Sequence, residues 1–325
     1  MTTEIILTSS HKIDAGSSKL ILPAVIVQAG EQTSRRFIEF FLVHIRNKNT
    51  RAAYAQALKQ FFDWCDSREL TLHAITPIAI AAYIERHPGS APTVNQHLAA
   101  IRSLYEWLMA GRIVDRNPAA EVKGPKHRVT VGKTPVLSDE EMKQLLDHID
   151  VSHVVGLRDR ALIASMFFSF ARISAVLGMK VEDYFTKGKR SWLRLHEKGG
   201  KYHEVPVHHN ADEFLHEYLE AAGIGGDKKS PLFRTTVGKT RLLTTHALQR
   251  SEAWAMIKRR AKDVGINTEA CNHTFRASGI TNYLRNGGSR DNAQKIAAHN
   301  DVRTTALYDR RNDAISLNEI ERIRL

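Results

Sequence analysis

The stretch AAHNDVRTTALYDRR, residues 297–311, sets a single phenol, Tyr308, among arginines. A phenol is almost fully protonated at neutral pH, with a reference pKa of about 10, and a tyrosine at this spacing commonly packs the apolar side of a helix. Neighbouring cations favour the phenolate, and a phenolate can attack phosphorus to make a covalent intermediate. Two readings stand for Tyr308, packing residue or nucleophile, and the other cationic side chains bear on the choice.

Arg172 lies in ALIASMFFSFARISAVLGMK, with apolar runs on both sides, so its guanidinium is expected near a core edge. A buried charge left unpaired costs several kcal/mol, so it needs an anion. Position 175, one turn on, is Ala, so no acid is supplied at that spacing. The anion is a carboxylate from elsewhere or an external group. HTFR places His273 and Arg276 three residues apart, which on a helix brings both to one face. A guanidinium presents planar paired donors that match two phosphate oxygens, so two arginines converging on one site suit a phosphodiester. EKGGK, residues 197–201, puts Lys198 and Lys201 in a predicted hairpin turn. That turn is either simply solvated or a tip from which a lysine of lowered pKa protonates a leaving oxygen.

The chain that must position these groups has 325 residues, 42% of them hydrophobic, and two domains is the better expectation. Lys+Arg of 47 against Asp+Glu of 35 gives +12, with a pI near 9.7, which points to a polyanionic partner. The two cysteines, Cys65 and Cys271, have no C-x-x-C spacing, so neither a disulfide framework nor a zinc cluster is indicated, and a reducing cytoplasm fits. The apolar run LILPAVIVQAG at 20–30 is too short to span a bilayer and reads as tail or strand.

Residues 1–33 have weak periodicity, which predicts a loosely attached N-terminal arm. Helical spacing in SRRFIEFFLVHIRN, TRAAYAQALKQFFDWCDSR, TPIAIAAYIERH and APTVNQHLAAIRSLYEWLMAGR predicts four helices in a domain at 34–122, with Thr50, Thr76 and Thr93 as N-caps. The Pro- and Gly-containing stretch that follows carries Lys123, Lys126, Arg128 and Lys133 and no apolar face, which predicts a basic linker at 123–136. A second domain at 137–312 opens at SDEEMKQLLDHI, where Ser138 and Glu141 have capping-box spacing. A helix over 158–169 is expected to continue through 178. SWLRLHEKGGKYHEVPVH then changes period, with two β-prone runs flanking a turn. Further helices are predicted at 211–222, 244–263, 274–286, 290–298 and 302–308, and one near 315–324 in a tail at 313–325. The fold class is mainly α with a small β-sheet or hairpin in the second domain (α+β).

Taken in order, these pieces resemble the tyrosine recombinase, or phage integrase, family. Arg172 in ARISAVLGM is similar to the family's first catalytic arginine, and Lys198 in KGGKYHEVP to the lysine of its K-G-x-K hairpin before Val-Pro. HTFR is similar to H-x-x-R, and HNDVRTTALY to H-x-x-x-x-T-T-x-x-Y, with His299 preceding Tyr308 by nine positions. The likeness extends to NTRAAYAQALKQFFDWC and TVNQHLAAIRSLYEWLMAGRIVDRNPAAEVKGPK, which look like the helical, SAM-like core-binding domain and its linker. It covers roughly residues 34–311 and implies a two-domain C-shaped clamp round duplex DNA. It also implies a catalytic set of Arg172, Lys198, His273, Arg276, His299 and Tyr308, with a phosphotyrosyl intermediate and with Lys198 protonating the leaving oxygen. The arginines would hold the nonbridging oxygens while the histidines assist. No cofactor is expected: the sequence has no phosphate-cradling Gly loop and no carboxylate cluster with two-metal spacing.

Arg51, Arg102, Lys123, Lys126, Lys201, Arg250 and Lys258 are candidates for DNA phosphates, each otherwise a solvated surface charge, and Asn95 and Gln96 either read bases or help begin a helix. The expected partners are double-stranded DNA at a specific site, three further copies in a synaptic homotetramer, and accessory DNA-bending proteins. The free chain is expected as a monomer or weak oligomer, cytoplasmic and nucleoid-associated. The outcome would be integration, excision or resolution of mobile DNA. The chain departs from the family at Ala175, where many members have Glu or Asp, at Ala298, where many have Gly, and at Phe170, which replaces a common Gly. Two rival readings are a type IB topoisomerase-like strand transferase and a DNA-binding accessory protein with impaired catalysis.

Overall fold

The computed structural model describes residues 12–14, 19–127, 132, 134–197, 202–266 and 268–309. They divide near residue 128 into two compact units. Lys198, Lys201 and the tail at 313–325, with the helix predicted near 315–324, lie outside the described residues.

In the first unit, β1 (Lys12–Asp14) pairs antiparallel with β2 (Lys19–Ile21), and α1 (Ala24–Gln28) and α2 (Glu31–Glu39) follow. The helical unit therefore begins before residue 34. Leu22, Val25 and Ile26 are buried in the same core as Phe37, Phe40 and Phe61. For residues 22–33 this corrects the expectation of a loose arm: the apolar run turns from strand to helix and is held by burial, which periodicity over so short a span does not reveal. A π-helical turn at Phe40–His44 ends α2, and α3 (Lys48–Asp66), α4 (Pro77–Glu85) and α5 (Ala91–Ala110) complete the unit. Thr76 caps α4 as expected. Asn47 rather than Thr50 caps α3, its side chain accepting from the Asn49 and Thr50 N–H groups, and Ser90 rather than Thr93 stands at the start of α5.

The second unit opens with α6 (Asp139–Asp147), where Ser138 and Glu141 form the reciprocal capping box. Helix α7 (Val154–Ser169) is buried on most of its circumference, as expected of a helix that is apolar nearly all round. It does not continue through 178. Phe170 adopts a left-handed conformation, φ 53°, and α8 (Ile173–Leu177) starts afresh with Arg172 at its N-cap. Next come β3 (Tyr184–Lys187), β4 (Arg190–His196) and β5 (Tyr202–Pro206), an antiparallel meander in which β3 adds a strand to the expected hairpin. Leu193 opposite Val205 fixes the register, and both side chains enter the core.

Helix α9 (His209–Ala222) leads to a second hairpin, β6 (Arg234–Thr236) and β7 (Leu243–Ala247). The helix predicted at 244–263 thus begins only at Arg250, as α10 (Arg250–Asp263); the β-branched pair Thr244 and Thr245 lies in strand instead. Helices α11 (Thr274–Arg285), α12 (Arg290–Ile296) and α13 (Val302–Ala306) close the described chain. A buried ion network ties α7 to α10. Asp159, fully buried, accepts from Arg158 at 2.6 Å and from Arg260 at 2.8 Å, while Arg158 also donates to the Arg234 carbonyl. Among the described residues, no helix is long and apolar enough to cross a membrane.

Candidate active site

Helix α11 can carry Arg276 deep into the unit because Gly279 lets it approach α7 closely. A Cβ built at Gly279 would lie 2.1 Å from the Phe167 carbonyl oxygen. Arg276 is 2% exposed. Its guanidinium donates to the Phe170 carbonyl and, at 2.6 Å, to the Ala297 carbonyl. Burial, then the nearby charge of Arg172, pushes its pKa down to about 10, and Tyr308 and Glu197 lie close enough to offset part of that shift. It remains a cation at neutral pH, anchored by carbonyls that the broken α7–α8 junction and the end of α12 leave free.

The end of α12 also places His299. The Ala298 N–H donates to the Lys295 carbonyl and the His299 N–H to the Gln294 carbonyl, both at 3.1 Å, with Ala298 left-handed at φ 48°. This is a Schellman ending. It turns the chain so that His299 is buried, its Nδ1 2.9 Å from Thr305 Oγ1 and its ring stacked on Tyr308. Burial first, then the charges of Arg276 and Arg172, pushes the His299 pKa down to about 3. Tyr308 follows α13, and its carbonyl accepts from Thr281 Oγ1 at 3.1 Å. His273 stands at the N-cap of α11, open to solvent. Its pKa is lowered by partial desolvation and then by Arg250, Arg276 and Arg172.

Arg172 completes the cluster from α8. Its guanidinium donates to Glu197 Oε2 at 2.5 Å. The internal carboxylate that α8 lacks at position 175 therefore comes from the end of β4. With Arg172, His203, Lys295 and His299, Glu197 lines an open cleft of about 600 Å³. His203 also lies 2.9 Å from the Ile296 carbonyl, linking β5 to α12.

Of the six residues expected to carry chemistry, five are thus drawn toward one place from α8, α11, the end of α12 and the segment after α13. The sixth, Lys198, is outside the described residues, one position beyond Glu197. Glu197, Thr305 and Gln294 were not anticipated. Glu197 was visible as the first residue of EKGGK but was passed over as part of a turn.

The expected DNA contacts separate into two groups. Arg51 donates twice to the Ile45 carbonyl, Arg102 to the Ala119 and Val122 carbonyls, and Asn95 to the Pro125 carbonyl. These three first serve to hold backbone, because long polar side chains beside chain reversals find carbonyls nearer than solvent anions. Gln96, Lys123, Lys126 and Arg250 are exposed, and Lys258, half-buried, lies 5.9 Å from the centre of the Trp254 ring. Lys201 lies outside the described residues. Among the described residues, no group of three or more His, Cys, Asp or Glu side chains is placed to hold a metal ion.

Known proteins resemble this chain in sequence and in fold. The chain is 27% identical over 281 residues to the tyrosine recombinase XerD of Listeria innocua serovar 6a, covering 84% of this chain and 91% of that one. It is 28% identical over 266 residues to XerD of Pseudomonas aeruginosa, covering 80% and 86%. Among solved structures, the XerH site-specific recombinase in a pre-cleavage complex with its difH substrate superposes with a TM-score of 0.61 at 20% identity, covering 84% and 78%. A lambda integrase dimer bound to a COC' core site gives 0.64 at 19% identity, covering 87% and 79%. These superpositions establish a shared fold. Residues 36–111 match the phage integrase N-terminal SAM-like domain, and residues 135–314, more than half of the chain, match the phage integrase family itself. The chain therefore belongs to the phage integrase family of tyrosine recombinases.

Proposed function

We propose that the chain is a site-specific recombinase that cuts and rejoins duplex DNA through a 3′-phosphotyrosyl intermediate on Tyr308. The observation that carries this reading is the electrostatic convergence of Arg172 and Arg276 on His299, whose ring stacks on Tyr308. Two guanidiniums sharing one small space repel each other, and an anion such as a phosphate entering it offsets that repulsion. In the proposed step the Tyr308 oxygen attacks the scissile phosphorus in line. Its proton passes to a neutral imidazole, for which His273 is the candidate, while His299 assists by hydrogen bonding. The bond to the 5′ oxygen breaks as the tyrosyl bond forms, and Lys198 protonates the departing 5′ oxygen. Arg172 and Arg276 hold the nonbridging oxygens as charge builds there. The intermediate keeps the phosphodiester's energy, so rejoining needs no ATP.

In this reading both units contact the duplex. Lys123, Lys126, Lys201, Arg250 and Lys258 meet phosphates, and Gln96 is left to read bases. Four copies make the synapse, a number supported by the lambda integrase tetramer solved on a Holliday junction. Accessory DNA-bending proteins and a cytoplasmic, nucleoid-associated setting belong to the same proposal. The test is a suicide duplex, nicked beside the cleavage position of a site mapped by footprinting, incubated in EDTA. The wild-type chain should form a covalent adduct on denaturing gels. Tyr308→Phe should bind the duplex with unchanged affinity and form none; an adduct from that variant refutes the assignment.

A further inference from the structure

We propose that Glu197 is the positioning residue for Arg172, so that one internal carboxylate aims the guanidinium that meets the phosphate. The inference rests on reading Tyr308 and its neighbours as a phosphoryl-transfer site.

Helix α8 gives Arg172 no acid of its own. Ala175 occupies the position one turn on and is 1% exposed in the core. The next acid along the chain, Glu182, is engaged by Lys229 at 2.8 Å. The Glu197 side chain is 5% exposed, whereas that of Arg172 is 34% exposed. The carboxylate therefore lies beneath the guanidinium and leaves its other donors free to face the cleft. A guanidinium has five N–H groups in a rigid fork, so fixing one nitrogen fixes the direction of the rest. Glu197 also offsets the burial-driven fall in the Arg276 pKa, so its charge reaches both arginines. That charge offsets the repulsion between them.

The carboxylate is itself held by a sheet. His196, at the end of β4, pairs with Tyr202, and Leu195 pairs with His203, whose Nε2 meets the Ile296 carbonyl. Any displacement of Arg172 is thereby resisted by the end of β4 and, through His203, by the end of α12. A salt bridge kept only for stability would need no such connection, and apolar replacement of a buried pair is often neutral.

The test compares Glu197→Gln, Glu197→Asp and the wild-type chain on the nicked suicide duplex, reading the single-turnover rate of adduct formation, the DNA dissociation constant and the melting temperature. Glu197→Gln should slow adduct formation by about 10- to 100-fold while leaving DNA affinity within about twofold. Glu197→Asp keeps the charge but shortens the reach, so it should fold and still slow the reaction by about threefold or more. In an Arg172→Lys background, where the fork is already lost, Glu197→Gln should cost about threefold or less, because the two residues act as one unit. A Glu197→Gln variant that reacts at the wild-type rate overturns the inference, as does one whose full loss recurs in the Arg172→Lys background. If the wild-type chain itself forms no adduct, it is the recombinase reading that fails, and this inference falls with it.

Discussion

The His299 ring lies stacked on the Tyr308 ring, with centroids 5.7 Å apart and planes 9° from parallel. The stack orients the phenol, and the histidine is in turn held through Thr305 Oγ1 and through Gln294, whose side-chain amide donates to the His299 carbonyl at 3.1 Å. With its pKa pushed down to about 3, the imidazole is neutral at physiological pH and serves as a hydrogen-bonding partner.

That depressed pKa makes stability depend on pH. Unfolding returns His299 to a pKa of about 6.5. Between the two values the unfolded chain binds a proton that the folded chain does not, so stability falls as pH drops from about 6.5 toward 3. From pH 7 to pH 5 this one group should remove about 2 kcal/mol. His97, His208 and His273 are also shifted downward and add to the total slope. The His299 share is the difference between wild type and His299→Asn in urea unfolding at the two pH values. Equal losses in both proteins would show that His299 does not titrate in this way.

The long helices were legible in the sequence, as were the motifs whose residues Arg172, His273, Arg276, His299 and Tyr308 the fold brings together, and for a physical reason. Apolar spacing over 48–66 and 91–110, the Ser138 capping box and the spacings of HTFR and HNDVRTTALY are local properties. What was not legible depends on tertiary partners. β3 exists only by pairing with β4; Leu22, Val25 and Ile26 are fixed by a core assembled from later helices; and the carboxylate for Arg172 arrives from 25 residues away. The break at Phe170 was missed because a phenylalanine at positive φ contradicts local preference and is held by its burial against Ile280 and Leu284. Sequence shows the polar groups of Arg51, Arg102 and Asn95 and not the backbone carbonyls that each meets.

Ala298 shows the same conflict and yields a second prediction. It occupies the left-handed position of the Schellman ending of α12, where glycine is the usual residue. A Cβ there costs about 1 to 2 kcal/mol, against which glycine's greater freedom in the unfolded chain costs about 0.5 to 1 kcal/mol. Ala298→Gly should therefore stabilise the protein by about 0.5 to 1 kcal/mol. Adduct formation should be unchanged, since the backbone path to His299 is the same. A lower urea midpoint for the variant would count against the left-handed turn.

The third prediction concerns how the proposed nucleophile, Tyr308, is kept in register along the chain. Thr281, 1% exposed on α11, donates from Oγ1 to the Tyr308 carbonyl, and the neighbouring Asp309 pairs with Arg290 at 2.5 Å. Both ties hold the backbone around Tyr308 against the elements that carry Arg276 and His299. Thr281→Val keeps the shape but removes the donor, at a cost of about 1 kcal/mol in stability. Because the phenol must reach the phosphorus within a few tenths of an ångström and in line, the loss of that tie should slow adduct formation by about 10-fold while DNA affinity stays level. Single-turnover cleavage of the nicked duplex, with binding measured in parallel, distinguishes the outcomes. A rate equal to wild type would mean that the Arg290 pairing alone suffices to seat the nucleophile.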